Sequence, residues 1–450
     1  MCVTPCAHYH CPNGHCTSLE QRSNCRDQHA TAERIVLRPL ILQLIAMRNQ
    51  RVNGLPCNRG HGSLRNVRTK GLCPDDDGRK LMRNKRNDAI QGLRGIAALL
   101  VVVDHSILNL VQRAQYDPTT LQLAYRLGEL GVKIFFVISG FIMTTTMYDS
   151  FARRGAPTRF ILKRIMRIVP IYWLATLIYA AKLSLTGSPP TWQELVLSLL
   201  FIPYDHGQSM REPVYGLGWT LNYEMFFYYL FALALMLRRP RAFALLMALF
   251  AALVSAGYIE YLDTCSGSLC AIGGYFTRPI MLYFAAGILL GMSRKWLETR
   301  ARIPHIDTHT AIAISLVVTL LYGAMVLTGV MQENSTMSIV IQALACAIVT
   351  TACAFEVSEA GHIGRTRLLI LALGNASYSI YLTHSFLMGS AGRIWALISS
   401  GTVSTLPAVT FVILMLIGAS ILGIATYTYV ERPLLDFLRS RVTRDRQAVA

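Results

Sequence analysis

The chain has 450 residues, 53% of them hydrophobic and 15% charged, with 43 Lys and Arg against 25 Asp and Glu and a formal net charge of +18. That balance excludes a soluble domain of this length and predicts an integral membrane protein, all-α because apolar runs of about 20 residues cross a bilayer as helices. The positive charge gathers beside the apolar runs, so it is read as topological and gives no reason to expect nucleic acid as a partner.

Residues 1–86 differ in composition from the rest. They hold fifteen Lys and Arg, six Asp and Glu, and seven of the eleven cysteines (Cys2, Cys6, Cys11, Cys16, Cys25, Cys57 and Cys73). The spacing does not form the paired knuckles of a zinc site, so no metal is expected. The apolar run Ile35 to Met47 is broken by Arg38 and Pro39 and has no clear cleavage site, which argues against a signal peptide. This basic, Cys-rich extension is read either as a tail without a packed core or as sequence upstream of the native start, with Met82 as the candidate start.

Ten candidate spans follow, at 91–110, 131–148, 168–184, 218–237, 242–261, 279–292, 310–330, 338–355, 375–398 and 407–430. The first, QGLRGIAALLVVVDHSILNL, carries Arg94, Asp104 and His105, and ionisable groups inside a span point to function by default. Arg94 and His105 are eleven positions apart, so they differ by about 20° around a helix and are separated by roughly 16 Å along it. On these grounds alone, Arg94 as a snorkelling anchor and His105 as a packing residue remain open. In the second span, Ser139 and Gly140 are expected to allow close helix packing.

The connection 149–167 carries Arg153, Arg154, Arg159, Lys163, Arg164 and Arg167 against Asp149, which predicts a cytoplasmic position. Arg164 and Arg167, like Lys163 and Arg167, share a helical face there, suited either to an anionic cofactor or to a plain topological anchor. The run 195–203 is too short to cross and is read as interfacial or re-entrant. With ten spans, every basic connection and both termini fall on the cytoplasmic side.

Glu224 in GWTLNYEMFFYYL lies roughly 9 Å into the membrane if its span starts near Gly218, a depth comparable to that of His105. It is expected either to serve His105 or to form an ion pair with Lys133 or Arg126. Cys265 and Cys270 fall in an outward connection and could be a local disulfide or free thiols. His384 in SYSIYLTH is expected to be a buried, hydrogen-bonded residue. No internal repeat supports an inverted-repeat transporter.

Six pieces now occur in order: QGLRGIAALLVVVDH, FFVISGFIM, RFILKRIMRIVPIYW, GWTLNYEMFFY, SYSIYLTH and YVERPL. Together they resemble acyltransferase family 3 of the membrane-bound O-acyltransferases, in particular its exopolysaccharide-production branch, over about residues 88 to 438. The resemblance implies a ten-span bundle that takes an acyl group from cytoplasmic acyl-CoA and passes it to a carbohydrate hydroxyl on the far side. It implies His105 as the catalytic histidine with Arg94 as its motif partner, Glu224 as the acidic residue of the core, and Arg164 and Arg167, with Lys163 beside them, as contacts to coenzyme A. Two positions depart from the pattern: Lys133 stands where an acidic residue is usual, and Gln91 where an Asp is common.

The expectation is therefore an acyltransferase transmembrane domain at 87–438 and a basic cytoplasmic tail at 439–450. It would sit in the inner or plasma membrane and move an acyl group, most simply acetyl from acetyl-CoA, onto a surface or exported polysaccharide, alongside polysaccharide-assembly proteins. The competing expectation is a flippase for a lipid-linked saccharide with no chemistry of its own.

Overall fold

The computed structural model describes residues 87–111, 118–204, 212–258, 268–300, 306–329, 336–355, 365–398 and 405–448. The expectations for residues 1–86, including the Cys-rich stretch, lie outside them, as do Cys265 and the side chain of Cys270. Among the described residues the elements are all helical. Thirteen α-helices run in order: α1 (Asp88–Val111), α2 (Pro118–Met147), α3 (Ala156–Leu185), α4 (Trp192–Leu199), α5 (Trp219–Ala234), α6 (Arg239–Gly257), α7 (Ser268–Phe276), α8 (Leu282–Thr299), α9 (Thr308–Leu327), α10 (Thr336–Ala354), α11 (Arg365–Ile398), α12 (Thr405–Thr426) and α13 (Arg432–Ala448). A five-residue π-helical turn, Tyr427–Glu431, joins the last two.

Among the described residues, eight segments are long and apolar enough to cross a membrane, carried by α1, α2, α3, α6, α8, α9, α10 and α12. The other two predicted spans correspond to α5, which has only 16 residues, and α11, which has 34. Short α5 packs one face into protein: Tyr223, Phe227 and Phe231 are fully buried, and Phe227 stacks on Phe284 of α8 at 4.5 Å between centroids, while Tyr229 and Leu233 remain exposed. By contrast α12 turns Ile413, Leu414, Ile417 and Ile421 outward, each about half exposed, an apolar stripe suited to lipid. The 195–203 run overlaps α4, eight residues opened by a Thr191/Glu194 capping box, about 12 Å long and too short to span.

Helices overrun the apolar segments that announced them. α2 starts at Pro118 and α3 at Ala156, each about a dozen residues ahead of the predicted span, because polar side chains on a continuing helix do not interrupt its backbone hydrogen bonds. Arg164 and Arg167 consequently stand on a rigid helix.

α1 packs most extensively on α2 and α11 and lies between them. Small residues set those contacts. A Cβ on Gly95 of α1 would meet Leu373 and Gly374 of α11 at 3.1–3.3 Å, and Gly140 of α2 faces Gly287 of α8 with its would-be Cβ 3.0 Å from the Gly287 Cα. At the start of α1, Asn87 accepts from the Ile90 amide at 2.8 Å and donates to the Cys353 carbonyl at 2.8 Å. Beside it the Arg367 Nε donates to Asp88 at 2.8 Å, with a second bond from the same guanidinium. One end of α1, α10 and α11 is thereby fastened together.

Candidate functional site

Arg94, Arg164, Arg167 and Glu224 line one cavity of about 750 Å³, counted to its open mouth, formed by α1, α2, α3, α5 and α11. Glu224 is held by two hydroxyl donors: Ser139 Oγ at 2.9 Å and the Tyr228 hydroxyl. Arg164 lies over the rings of Phe160 and Tyr228 at 5.5 and 5.7 Å, and its buried Nε has no hydrogen-bond partner among the described residues. Arg94 donates to Gln91 Oε1 at 3.3 Å. A second carboxylate, that of Glu431, accepts from Ser379 at 2.6 Å and acts electrostatically on Arg167 and Arg94. Three guanidinium groups against two carboxylates leave this end of the bundle suited to an anion with several phosphates. Lys163, on the same helix, is exposed.

His105 stands elsewhere, three turns along α1 from Arg94. Its ring meets that of His384 on α11 edge to face, with centroids 5.0 Å apart. Its Nδ1 is 3.0 Å from the Val101 carbonyl and 3.7 Å from Asp104 Oδ2. Asp104 is buried against Gly128 of α2. Tyr381 joins the two places: it lines the arginine cavity, its ring centroid is 6.1 Å from that of His384, and its hydroxyl bonds Thr220 at 2.8 Å.

Position along α3 orders these groups. Arg164 and Arg167 occupy its first half, whereas Tyr179, near its far end, packs on Tyr215, whose hydroxyl reaches Leu382 and, at 2.7 Å, Ser385. Along α1, Arg94 and His105 are thus displaced by about 16 Å, the rise of eleven helical residues.

The expected common depth of Glu224 and His105 is corrected. Leu217 and Thr220, which bond Tyr381, already sit at the level of His384, and Tyr215 before them is buried. The chain is deep inside the bundle before α5 begins, so Glu224, a turn further on, reaches the arginines. Nor does it pair with Lys133 or Arg126: Lys133 bonds Glu129 at 3.2 Å and also Gln342, and Arg126 is 3.7 Å from Glu129. Ser139 is not simply a packing residue, since it donates to Glu224. His384 is buried as expected, with Nδ1 3.2 Å from the Ile380 carbonyl.

Tyr228, Tyr381 and Glu431 received no role from the sequence. Tyr228 is four residues after Glu224 and Tyr381 three before His384, helical spacings that signal a shared face. Glu431 gives no such signal, because the π-helical turn that aims it inward breaks the α-helical period. Among the described residues, no group of three or more His, Cys, Asp or Glu could hold a metal ion.

The family described as "Acyltransferase domain" matches residues 87–427. The chain is 36% identical over 329 residues to the exopolysaccharide production protein ExoZ of Rhizobium meliloti (strain 1021), covering 70% of this chain and 92% of the relative. It is 25% identical over 390 residues to the acyltransferase MdmB of Streptomyces mycarofaciens, covering 79% and 93%. No solved structure matches it. With this match across most of the helical bundle, the chain belongs to acyltransferase family 3 and is an O-acyltransferase.

Proposed function

We propose that the enzyme transfers an acetyl group from cytoplasmic acetyl-CoA to a sugar hydroxyl of a surface or exported polysaccharide. In this reading it crosses the inner or plasma membrane ten times, α5 and α11 completing the eight apolar spans, with both termini cytoplasmic. Residues 87–438 form the acyltransferase domain and 439–450 a basic tail.

The observation that carries the proposal is the placement of a three-arginine cavity and a histidine pair at two levels of one bundle, joined at Tyr381. Arg94, Arg164 and Arg167 would hold the phosphates of the donor, with Lys163 on the exposed rim, while Glu224 and Glu431 keep the guanidinium groups oriented. The flexible arm of coenzyme A would carry the thioester toward His105. A carbonyl oxygen only accepts hydrogen bonds, so His105 keeps its proton on Nδ1 and offers the Nε2 lone pair to the acceptor hydroxyl. The relatives' printed names, one in exopolysaccharide production and one an acyltransferase, support the same chemistry and class of acceptor.

The test is His105→Ala in cells, with membrane insertion verified and acyl esters measured on the purified surface polysaccharide. Loss of esters with normal polymer export is expected, and excludes a flippase. Unchanged esters would remove His105 from the mechanism.

A further inference from the structure

His384 is fully buried, and with Nδ1 directed at the Ile380 carbonyl its unprotonated nitrogen is Nε2. That Nε2 has no hydrogen-bond partner among the described residues, a condition that costs stability in a low-dielectric interior. Its neighbour is the ring of His105, which also has its proton on Nδ1 and its lone pair on Nε2. Two lone pairs cannot bond one another, but one added proton lets them. Charged or titratable groups around the pair include Asp104 on α1, Glu129 on α2 near Asp104, Tyr381 on α11, and Tyr215, whose hydroxyl bonds Leu382 and Ser385 on either side of His384.

We propose that His384 is a positioning residue for His105: its Nε2 accepts a hydrogen bond from the N–H that His105 acquires when it takes the proton of the acceptor hydroxyl. The O–H bond breaks as the Nε2–H bond forms, the hydroxyl oxygen bonds the acyl carbon, and the C–S bond opens to release the thiolate. The proton held between the two rings then returns to that thiolate. Asp104, 3.7 Å from Nδ1, supplies the counter-charge on the other edge of His105. His384 does not itself touch substrate, since His105 is the partly exposed member of the pair.

This inference rests on His105 acting as the base, and the test separates the two. Thiol release from acetyl-CoA is followed in membrane vesicles, with chemically de-esterified surface polysaccharide from the same cells as acceptor. His384→Phe keeps an edge-to-face ring but removes the acceptor nitrogen, and should lower kcat by about 10- to 100-fold while leaving KM for acetyl-CoA within about twofold. His384→Gln keeps an acceptor oxygen near the Nε2 position, and should recover most of the lost kcat. Should His384→Phe fail to reach the membrane, His384→Met takes its place. Wild-type kcat in His384→Phe, or an equal loss in His384→Gln, overturns the inference. Retained turnover in His105→Ala would instead overturn the base reading beneath it.

Discussion

Glu224 accepts from two hydroxyls that have no reason to be near each other in sequence, Ser139 on α2 and Tyr228 on its own helix, so its hydrogen bonding and its charge are separable. Glu224→Ala strands both donors in the interior and should lower stability by about 1–3 kcal/mol, read as a lower melting midpoint in detergent. Glu224→Gln restores an acceptor oxygen and should recover most of that stability. Because it removes the carboxylate charge that acts on Arg94 and Arg164, its turnover should remain below wild type. The arginines make a second prediction: Arg164→Gln and Arg167→Gln should each weaken acetyl-CoA binding about tenfold or more in calorimetry, whereas Lys163→Gln, on the exposed side, should change it by less than about threefold. Sequence spacing grouped all three cations, since helical neighbours share a broad face. Which of them face inward depends on how α3 is rotated against α5, and that rotation is set by Phe160 and Tyr228 packing beneath Arg164.

Apolarity announced the helices well and their lengths poorly. A hydropathy window detects the stretch that suits hydrocarbon, whereas a helix ends where its backbone bonding ends, so α2, α3 and α11 each began earlier than their apolar runs. Short α5 was found in sequence yet misjudged in depth, because Tyr215, Leu217 and Gly218 are already buried before the helix begins. The clamp between Asp88 and Arg367 lies 279 residues apart in sequence and has no local signature. Both side chains are nearly buried, so removing one leaves a charge without its partner. Arg367→Met should therefore cost about 3–5 kcal/mol, and adding Asp88→Asn should return part of it, a non-additivity that melting of the single and double variants measures.

For the whole molecule, the proposed transfer from a cytoplasmic donor requires that the arginines face the cytoplasm. Charge placement predicts this, since the connection ahead of α3 is strongly basic and the far end of α3 is not. Arg154, just before α3, and Ser188, just after it, are both exposed and lie at opposite ends of that helix. In a variant lacking the native cysteines, Ser188→Cys should react with a membrane-impermeant maleimide in intact cells, and Arg154→Cys only after the membrane is opened. That pattern puts the Arg164 and Arg167 end of the cavity on the donor side and the His105 and His384 pair toward the acceptor. The reverse pattern would leave the arginines where no cytoplasmic donor reaches them, and would overturn the direction of transfer even if every side-chain variant behaved as expected. Labelling at both ends would mean that α3 does not span, and would overturn the proposed transfer across the bilayer.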